Sequence, residues 1–304
     1  MTGFSGLKIP LILFTTALLS SCTPEQTFKS AEEALSVKNI EKAKELYGDV
    51  INNYKFDSRL TSYFYSIVDS SDRKTLARRS YERLAEIYSF HLLRHSDGIK
   101  YLRKAIALSD DAETANALRE KVADIFYSNL KDYQQAIIEY QRILANQPSY
   151  AKNADLYLFR VIDSYFRISN YEQTRNESAE FMEKYKKSSY APLIELLVAQ
   201  SYDMDNNTQM ALAEYDKFLK NFDGNAQYRN LYAEAAFSMG NIYARQDKCD
   251  EAEGAYQKSL KSHPHPETVL EKIKAIKERC RKLKSSPERI KQYQELMLLR
   301  SQTP

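Results

Sequence analysis

The sequence has no tryptophan, and among its 304 residues glycine (7) and proline (8) are scarce. So few turn-forming residues cannot supply the many tight turns of a β-sandwich or β-barrel. Neither GxGxxG nor GxxxxGK[ST] occurs, which excludes the common glycine-rich nucleotide loops. Neither positive nor negative residues are in large excess, because the chain has 44 Lys and Arg and 41 Asp and Glu. This balance disfavours nucleic acid as a partner.

What the chain does contain is typical of a folded, largely helical protein. Hydrophobic residues make up 43% and charged residues 28%, and tyrosine reaches 23 copies. This composition is inconsistent with intrinsic disorder.

The first residues have the pattern of an export signal. Lys8 precedes an apolar run, Ile9 to Leu19, that is too short for an anchoring transmembrane helix. The run ends in Leu19-Ser20-Ser21-Cys22, which resembles the bacterial lipobox. The resemblance implies that residues 1–21 are removed and that Cys22 becomes a lipidated N-terminus, followed by a short linker over 22–29. An ordinary secretory signal or a short membrane helix is the alternative.

The residue after the cysteine bears on the destination. In Gram-negative lipoproteins Asp at this place favours the inner membrane, so Thr23 predicts the periplasmic face of the outer membrane if the source is Gram-negative.

The remainder of the chain repeats a helical pattern. One part is a small residue, an aromatic four positions later and a hydrophobic residue three after that. It is seen, with substitutions, at Ala43/Tyr47/Val50, Gly98/Leu102/Ala105, Ala136/Tyr140/Ile143, Thr174/Ser178/Phe181, Ala211/Tyr215/Phe218 and Ala252/Tyr256/Ser259. A second pattern, an aliphatic and a small residue with an aromatic three later, precedes most of these. Such self-similarity indicates a repeat protein.

These residues resemble the tetratricopeptide repeat, whose unit is two antiparallel helices, A and B. The resemblance implies an all-α, right-handed solenoid of about six helix pairs over residues 30–265. The best match is the last unit, with Gly240, Tyr243, Ala252 and Tyr256, and the Thr174/Ser178 unit departs most. Helical spacing also predicts an inserted helix at about 56–79 and capping helices with a tail over 266–304.

The sequence contains few residues with the spacing of a catalytic or metal-binding motif. His91 and His95 are four apart, but the Glu of HExxH is missing. Asp203, Asp205 and Asn207 imitate a calcium loop, yet Thr208 replaces the glycine that its turn needs. We therefore predict no catalytic residues, no metal and no cofactor, and expect a protein that is not an enzyme.

A second resemblance concerns function. The stretch from Phe181 to Ala191 is similar to the inter-repeat signature of BamD-type outer-membrane assembly lipoproteins, with Lys186 in place of proline. It implies a non-enzymatic scaffold, lipid-anchored at the outer membrane, that binds proteins and assists outer-membrane protein assembly. Alternatives are a pilotin-like lipoprotein for secretin or pilus assembly, and a peptidoglycan or cell-division accessory of the YbgF type.

In tetratricopeptide stacks helix A lines the concave groove, so protein or peptide partners are expected there. Counting from the small residue of each unit gives the candidates Glu120, Asp124, Phe159, Asp163, Arg167, Gln200, Phe237, Asn241 and Arg245.

Two cysteines remain once Cys22 carries lipid. Cys249 is expected at the start of the last helix B and Cys280 near the end of the next helix. If these helices are antiparallel, the two residues come within disulfide reach, and the predicted compartment is oxidising. Two unpaired, buried cysteines are the alternative.

Overall fold

The structure, a computed structural model, describes residues 23–61, 70–146 and 153–284. These residues form thirteen α-helices and no strand. The helices are α1 (Pro24–Ser36), α2 (Ile40–Thr61), α3 (Ser70–Glu86), α4 (His95–Ala107), α5 (Ala112–Asp124), α6 (Tyr133–Asn146), α7 (Ala154–Arg167), α8 (Tyr171–Lys184), α9 (Ala191–Met204), α10 (Thr208–Phe222), α11 (Arg229–Arg245), α12 (Cys249–Leu260) and α13 (Pro266–Lys284).

The chain divides into two compact units, residues 1–118 and 119–304. In unit 1, α1 packs on α2 and α3 packs on α4. In unit 2, α7 packs on α8, α9 on α10, α11 on α12, and α13 on α12. The fifth helix pairs with α6, since Tyr140 of α6 donates to Asp124 of α5. The all-α fold of six helix pairs expected from the sequence is therefore confirmed.

Small residues allow the two helices of a pair to approach closely. Ala43, Ala136, Ala211 and Ala252 of the second helices are fully buried. A close contact lies in the last pair, where a Cβ added to Gly240 would stand 2.5 Å from a ring carbon of Tyr256. Only glycine fits there, which explains why this pair matches the repeat pattern best.

The pair α7/α8 keeps its packing although it lacks the usual alanine and aromatic. Thr174 and Ser178 are buried there. Their hydroxyls donate to backbone carbonyls of the same helix, at Asn170 (2.9 Å) and Thr174 (2.6 Å) respectively. Because buried hydroxyls are tolerated when hydrogen-bonded, these polar substitutions do not break the core.

Each turn inside a helix pair contains one non-glycine residue in the left-handed region. The six residues, with φ of 54° to 61°, are Lys38, Leu93, Lys131, Ser169, Asn206 and Asp247. A left-handed residue ends a helix sharply and lets the next one begin within a few residues. The scarcity of glycine thus has a structural consequence, because residues with a Cβ occupy positions that glycine would fill without strain.

Three boundaries differ from those expected. The prediction of a linker over 22–29 is wrong for residues 24–29, because they lie in α1. Thr23 caps that helix reciprocally with Gln26, and Pro24 suits its first turn. The prediction of an inserted helix at 56–79 is also wrong at both ends. The second helix, α2, continues to Thr61, and α3 already begins at Ser70. Residues 62–69, between these helices, lie outside the described residues.

Other expectations fall outside the described residues. They are the signal peptide over 1–21, lipidation of Cys22 and the closing helix over 287–299. Across 23–61, 70–146 and 153–284, no helix has both the length and the apolar character needed to span a bilayer.

The terminal helix α13 is held to α12 by a disulfide. Cys249 begins α12, Cys280 lies near the end of α13, and their Cα atoms are 6.0 Å apart. Val269, Ile276 and Cys280 form the buried face of α13. The two helices are therefore antiparallel neighbours, and the bond ties the end of α13 to the start of α12.

The turn geometry predicts an unusual response to glycine. Leu93 is 72% exposed at φ 54°, so Leu93→Gly relieves left-handed strain and loses little packing. We expect a net gain of about 0.5–1 kcal/mol in the free energy of unfolding, measured by urea titration. Val37→Gly is the matched control, since Val37 is 75% exposed at φ −90°. It should lose about 0.5–1 kcal/mol, and a change of the same sign in both variants would contradict this reasoning.

The disulfide predicts a second change in stability. Cys249 and Cys280 are 31 residues apart, so the double variant Cys249→Ala/Cys280→Ala should lose roughly 3–4 kcal/mol. Urea unfolding measures the loss, and faster proteolysis between α12 and α13 locates it. Mass spectrometry after alkylation of protein made in an oxidising compartment should find neither thiol free. Alkylation of both would exclude the bond.

Candidate peptide-binding surface

The sequence-predicted groove residues all belong to unit 2 and all lie on the first helices of its pairs. Glu120 and Asp124 lie on α5, Phe159, Asp163 and Arg167 on α7, Gln200 on α9, and Phe237, Asn241 and Arg245 on α11. The expected assignment to helix A is therefore what the structure shows. Their role in binding a peptide stays a prediction.

Two of these polar residues receive a hydrogen bond from a buried tyrosine of the partner helix. Tyr140 donates to Asp124 at 2.6 Å, and Tyr256 donates to Asn241 at 2.9 Å. Unit 1 repeats the contact, where Tyr47 donates to Glu32 at 2.6 Å. Burial first and the adjacent carboxylate second raise the pKa of Tyr47 and of Tyr140 well above the usual range. The contact fixes the polar side chain of helix A from beneath.

Asp163 is the centre of a denser network. Its carboxylate is buried and accepts hydrogen bonds from the Tyr127 hydroxyl and from Nε of Arg167, the latter at 2.5 Å. Arg160 lies over the Tyr127 ring, 4.2 Å from its centroid. The bond to Asp163 raises the pKa of the Arg167 guanidinium further above its already high value. Since the buried charge is paired and hydrogen-bonded, it is a rigid part of the surface.

Neighbouring first helices are also joined side chain to side chain. Nε2 of Gln200 on α9 donates to Glu234 of α11 at 2.8 Å. Nη2 of Arg245 on α11 donates to Asp203 of α9 at 2.5 Å. These pairs hold α9 and α11 in register along the surface.

The two predicted aromatic contacts are already engaged within the chain. Phe159 stacks on Tyr190 with the ring centroids 4.8 Å apart. Phe237 lies 5.6 Å from Tyr256 and 5.0 Å from His263. Both phenylalanines are half-buried, so only part of each ring is open to a ligand.

One part of this surface is a cleft of about 460 Å³ between α11 and α13. One wall contains Asn241, Ala244, Arg245 and Tyr256, and the other contains Lys272, Ala275, Ile276 and Arg279. We refer to it as the α11–α13 cleft. It brings two of the predicted groove residues, Asn241 and Arg245, together with a helix that the sequence analysis treated only as a cap.

Positive charge dominates the α11–α13 cleft. Arg245 pairs with Asp203, and Arg279 pairs with Asp247 at 2.6 Å and also donates to the carbonyl of Ala244 at 3.2 Å. Lys272 is exposed and, among the described residues, has no ion-pair partner. Lys272, Ile276 and Arg279 are four and three residues apart, so they share one helix face. That spacing was the signal in the sequence that could have identified this wall.

Over 23–61, 70–146 and 153–284, no group of three His, Cys, Asp or Glu side chains is arranged to hold a metal ion.

Comparison with known proteins identifies the class of fold. The family model for the tetratricopeptide repeat matches residues 234–265, which include most of α11 and all of α12. The solved C-terminal part of a tetratricopeptide-repeat protein from Cytophaga hutchinsonii is 15% identical, with 81% of this chain and 99% of that chain covered and a TM-score of 0.51. No curated protein matches the sequence.

A second solved structure supports the same assignment. It is a signal-transduction ATPase with numerous domains and a tetratricopeptide-repeat sensor, from Pyrococcus horikoshii. It is 16% identical, with 88% of this chain and 40% of that chain covered and a TM-score of 0.54. The fold is thus that of tetratricopeptide-repeat proteins.

The buried tyrosines beneath the surface predict alkaline sensitivity. The pKa values of Tyr47, Tyr140 and Tyr215 are raised mainly by burial, and the unfolded chain titrates near pH 10. Stability is therefore fully present below about pH 10 and falls above it, because only the unfolded chain releases these protons. At pH 11 each such tyrosine should remove about 1 kcal/mol from the free energy of unfolding.

Urea unfolding at a series of pH values measures this slope. Tyr140→Phe should reduce the fall of the free energy of unfolding with pH by about the contribution of one tyrosine. An unchanged slope in that variant would show that the Tyr140 hydroxyl ionises freely in the folded protein.

Proposed function

We propose that this chain is a non-enzymatic scaffold, lipid-anchored at the periplasmic face of the outer membrane, that binds an extended segment of another protein. The observation that carries the proposal is the α11–α13 cleft, where, within the described part of the chain, three cationic side chains and no carboxylate line one concave site. A segment bound there would be acidic, because Lys272 is unpaired among the described residues and Arg245 and Arg279 present further N–H groups.

The chemistry of the cleft favours binding over catalysis. Its polar side chains belong to Asn241, Arg245, Tyr256, Lys272 and Arg279. Tyr256 and Asn241 bond to each other, and both arginines are held by carboxylates. Such fixed donors orient a carboxylate ligand, and none of these side chains forms a nucleophile–base pair with another.

Two features support an exported, membrane-attached protein. The lipobox-like Leu19-Ser20-Ser21-Cys22 is followed at once by Thr23, the cap of α1. The disulfide between Cys249 and Cys280 suits an oxidising compartment such as the periplasm. With the signature-like stretch Phe181–Ala191, these features favour a BamD-like role in outer-membrane protein assembly.

Lipidation is tested by changing its acceptor. In a Gram-negative host the protein should lose residues 1–21, gain acyl chains on Cys22 and fractionate with the outer membrane. Cys22→Ala should abolish acylation and keep the signal peptide, because no thiol remains to be modified. Intact-protein mass spectrometry reads both changes. An unmodified cysteine in the mature wild-type protein would refute the anchor.

Partner binding is tested by crosslinking in the native membrane. We expect Lys272→Glu to lower partner yield about tenfold or more, because it places a carboxylate in the site where an acidic segment would lie. Lys274→Glu is the matched control, since Lys274 is exposed on the same helix and does not line the cleft. Recovery of a barrel-assembly protein supports the assembly role. Recovery of a secretin or a cell-wall enzyme instead would refute it.

A further inference from the structure

A different edge of unit 2 concentrates positive charge. At this edge each second helix ends and the next first helix begins. Residues 183–190, 217–229 and 258–267 contain eight Lys or Arg against three Asp or Glu. The cations are Lys184, Lys186, Lys187, Lys217, Lys220, Arg229, Lys258 and Lys261. We call these three segments the basic loop edge.

Helix stability does not account for all of this charge. Lysines in the last turn of a helix, such as Lys220 and Lys258, complement the helix dipole. Arg229 is the first residue of α11, where the dipole disfavours a cation. Lys186 and Lys187 lie in the turn between α8 and α9, outside either helix. Lys184, Lys217 and Lys220 pair with carboxylates of their own helices. The remaining five cations are Lys186, Lys187, Arg229, Lys258 and Lys261, and they point to a ligand.

Part of the basic loop edge is concave. A cleft of about 330 Å³ lies between the α10–α11 connection and the end of α12, and Arg229, Lys258 and Lys261 line it. All three side chains are exposed, and among the described residues neither lysine has an ion-pair partner. Nε of Arg229 donates to the Ala226 carbonyl at 3.2 Å, which holds the guanidinium at the cleft.

One carboxylate shares this cleft. Asp223 also lines it and interacts with Tyr232, whose pKa is raised by burial and by that neighbouring charge. Gly224, at φ 69°, turns the chain directly after Asp223. The cleft has three cations and one carboxylate, and that carboxylate already interacts with Tyr232. Its net charge is therefore positive, which suits a phosphate group.

Tyrosines accompany the cations. Tyr185 and Tyr190 flank the two lysines of the α8–α9 turn, and Tyr228 and Tyr232 flank Arg229. All four tyrosines are half-buried. Tyrosine and lysine side chains together are typical of surfaces that lie at the headgroup level of a bilayer.

We propose that the basic loop edge of unit 2 binds anionic phospholipid, with one headgroup phosphate seated between Arg229, Lys258 and Lys261. The inference relies on the proposed function for the presence of a membrane near the protein. It adds a contact that is independent of the lipid on Cys22. Each Lys or Arg at an anionic surface strengthens binding about fivefold, so removing two should weaken it about 25-fold or more.

The experiment uses the full chain with Cys22→Ser, so that no acyl chain contributes. Binding is measured by sedimentation with phosphatidylcholine vesicles, with and without phosphatidylglycerol. We expect binding only to the anionic vesicles, and a loss of about 25-fold or more in Lys258→Glu/Lys261→Glu. The control pair Lys131→Glu/Lys248→Glu makes the same change in net charge at turns inside the helix pairs and should bind nearly as well as the parent.

Further measurements keep the result unambiguous. Lys186→Glu/Lys187→Glu, at another segment of the edge, should also weaken binding, and circular dichroism checks that every variant is folded. An equal loss in the control pair, or no loss in either edge pair, overturns the proposal. Full competition by soluble glycerol phosphate at the same phosphate concentration also overturns it, because the site would then take a free anion.

The outcome is separate from that of the proposed function. Acylation of Cys22 and the effect of Lys272→Glu on partner yield do not depend on the basic loop edge. Failure of vesicle binding therefore leaves the scaffold proposal standing, and failure of partner capture leaves the lipid contact standing.

Discussion

The fold depends on one repeated constraint, the close approach of two helices at a small residue. It is clear between Gly240 and Tyr256, where a single added carbon would overlap the ring. The same ring sends its hydroxyl to Asn241, the residue after that glycine. Packing and hydrogen bonding are therefore set by the same pair of positions, and the surface of helix A inherits its geometry from the interior.

The sequence was sufficient for the helix pairs because their spacing reflects burial. From Gly98 onward, the small residues of the second helices recur every 37 to 41 residues, and each is buried: Gly98, Ala136, Thr174, Ala211 and Ala252. It was insufficient where helices simply continue, because residues 56–61 contain nothing that distinguishes the end of α2 from the start of a new helix. The left-handed turn residues were also missed, because Lys38, Leu93 and Lys131 carry no conformational signature of the kind that glycine gives.

The candidate site, like the fold, could be predicted from the sequence only in part. Counting from the small residues placed the groove candidates on the correct helices, since that count follows the helix period. It could not show that Phe159 and Phe237 are used for packing within the chain. Nor could it show that α13 contributes a wall, because the contact between α11 and α13 is set by tertiary packing and by the bond between Cys249 and Cys280.

That bond has a consequence for timing. The α11–α13 cleft has one wall on a repeat helix and the other on a helix tied down by a disulfide. In a reducing cytosol the second wall would be held by side-chain packing and by the polar contacts of Arg279, without the covalent bond, so newly made chains would present a looser site. If the chain is exported as proposed, oxidation then completes the wall. Binding competence would then be acquired with the change of compartment, which guards a nascent chain against premature capture of acidic segments in the cytosol.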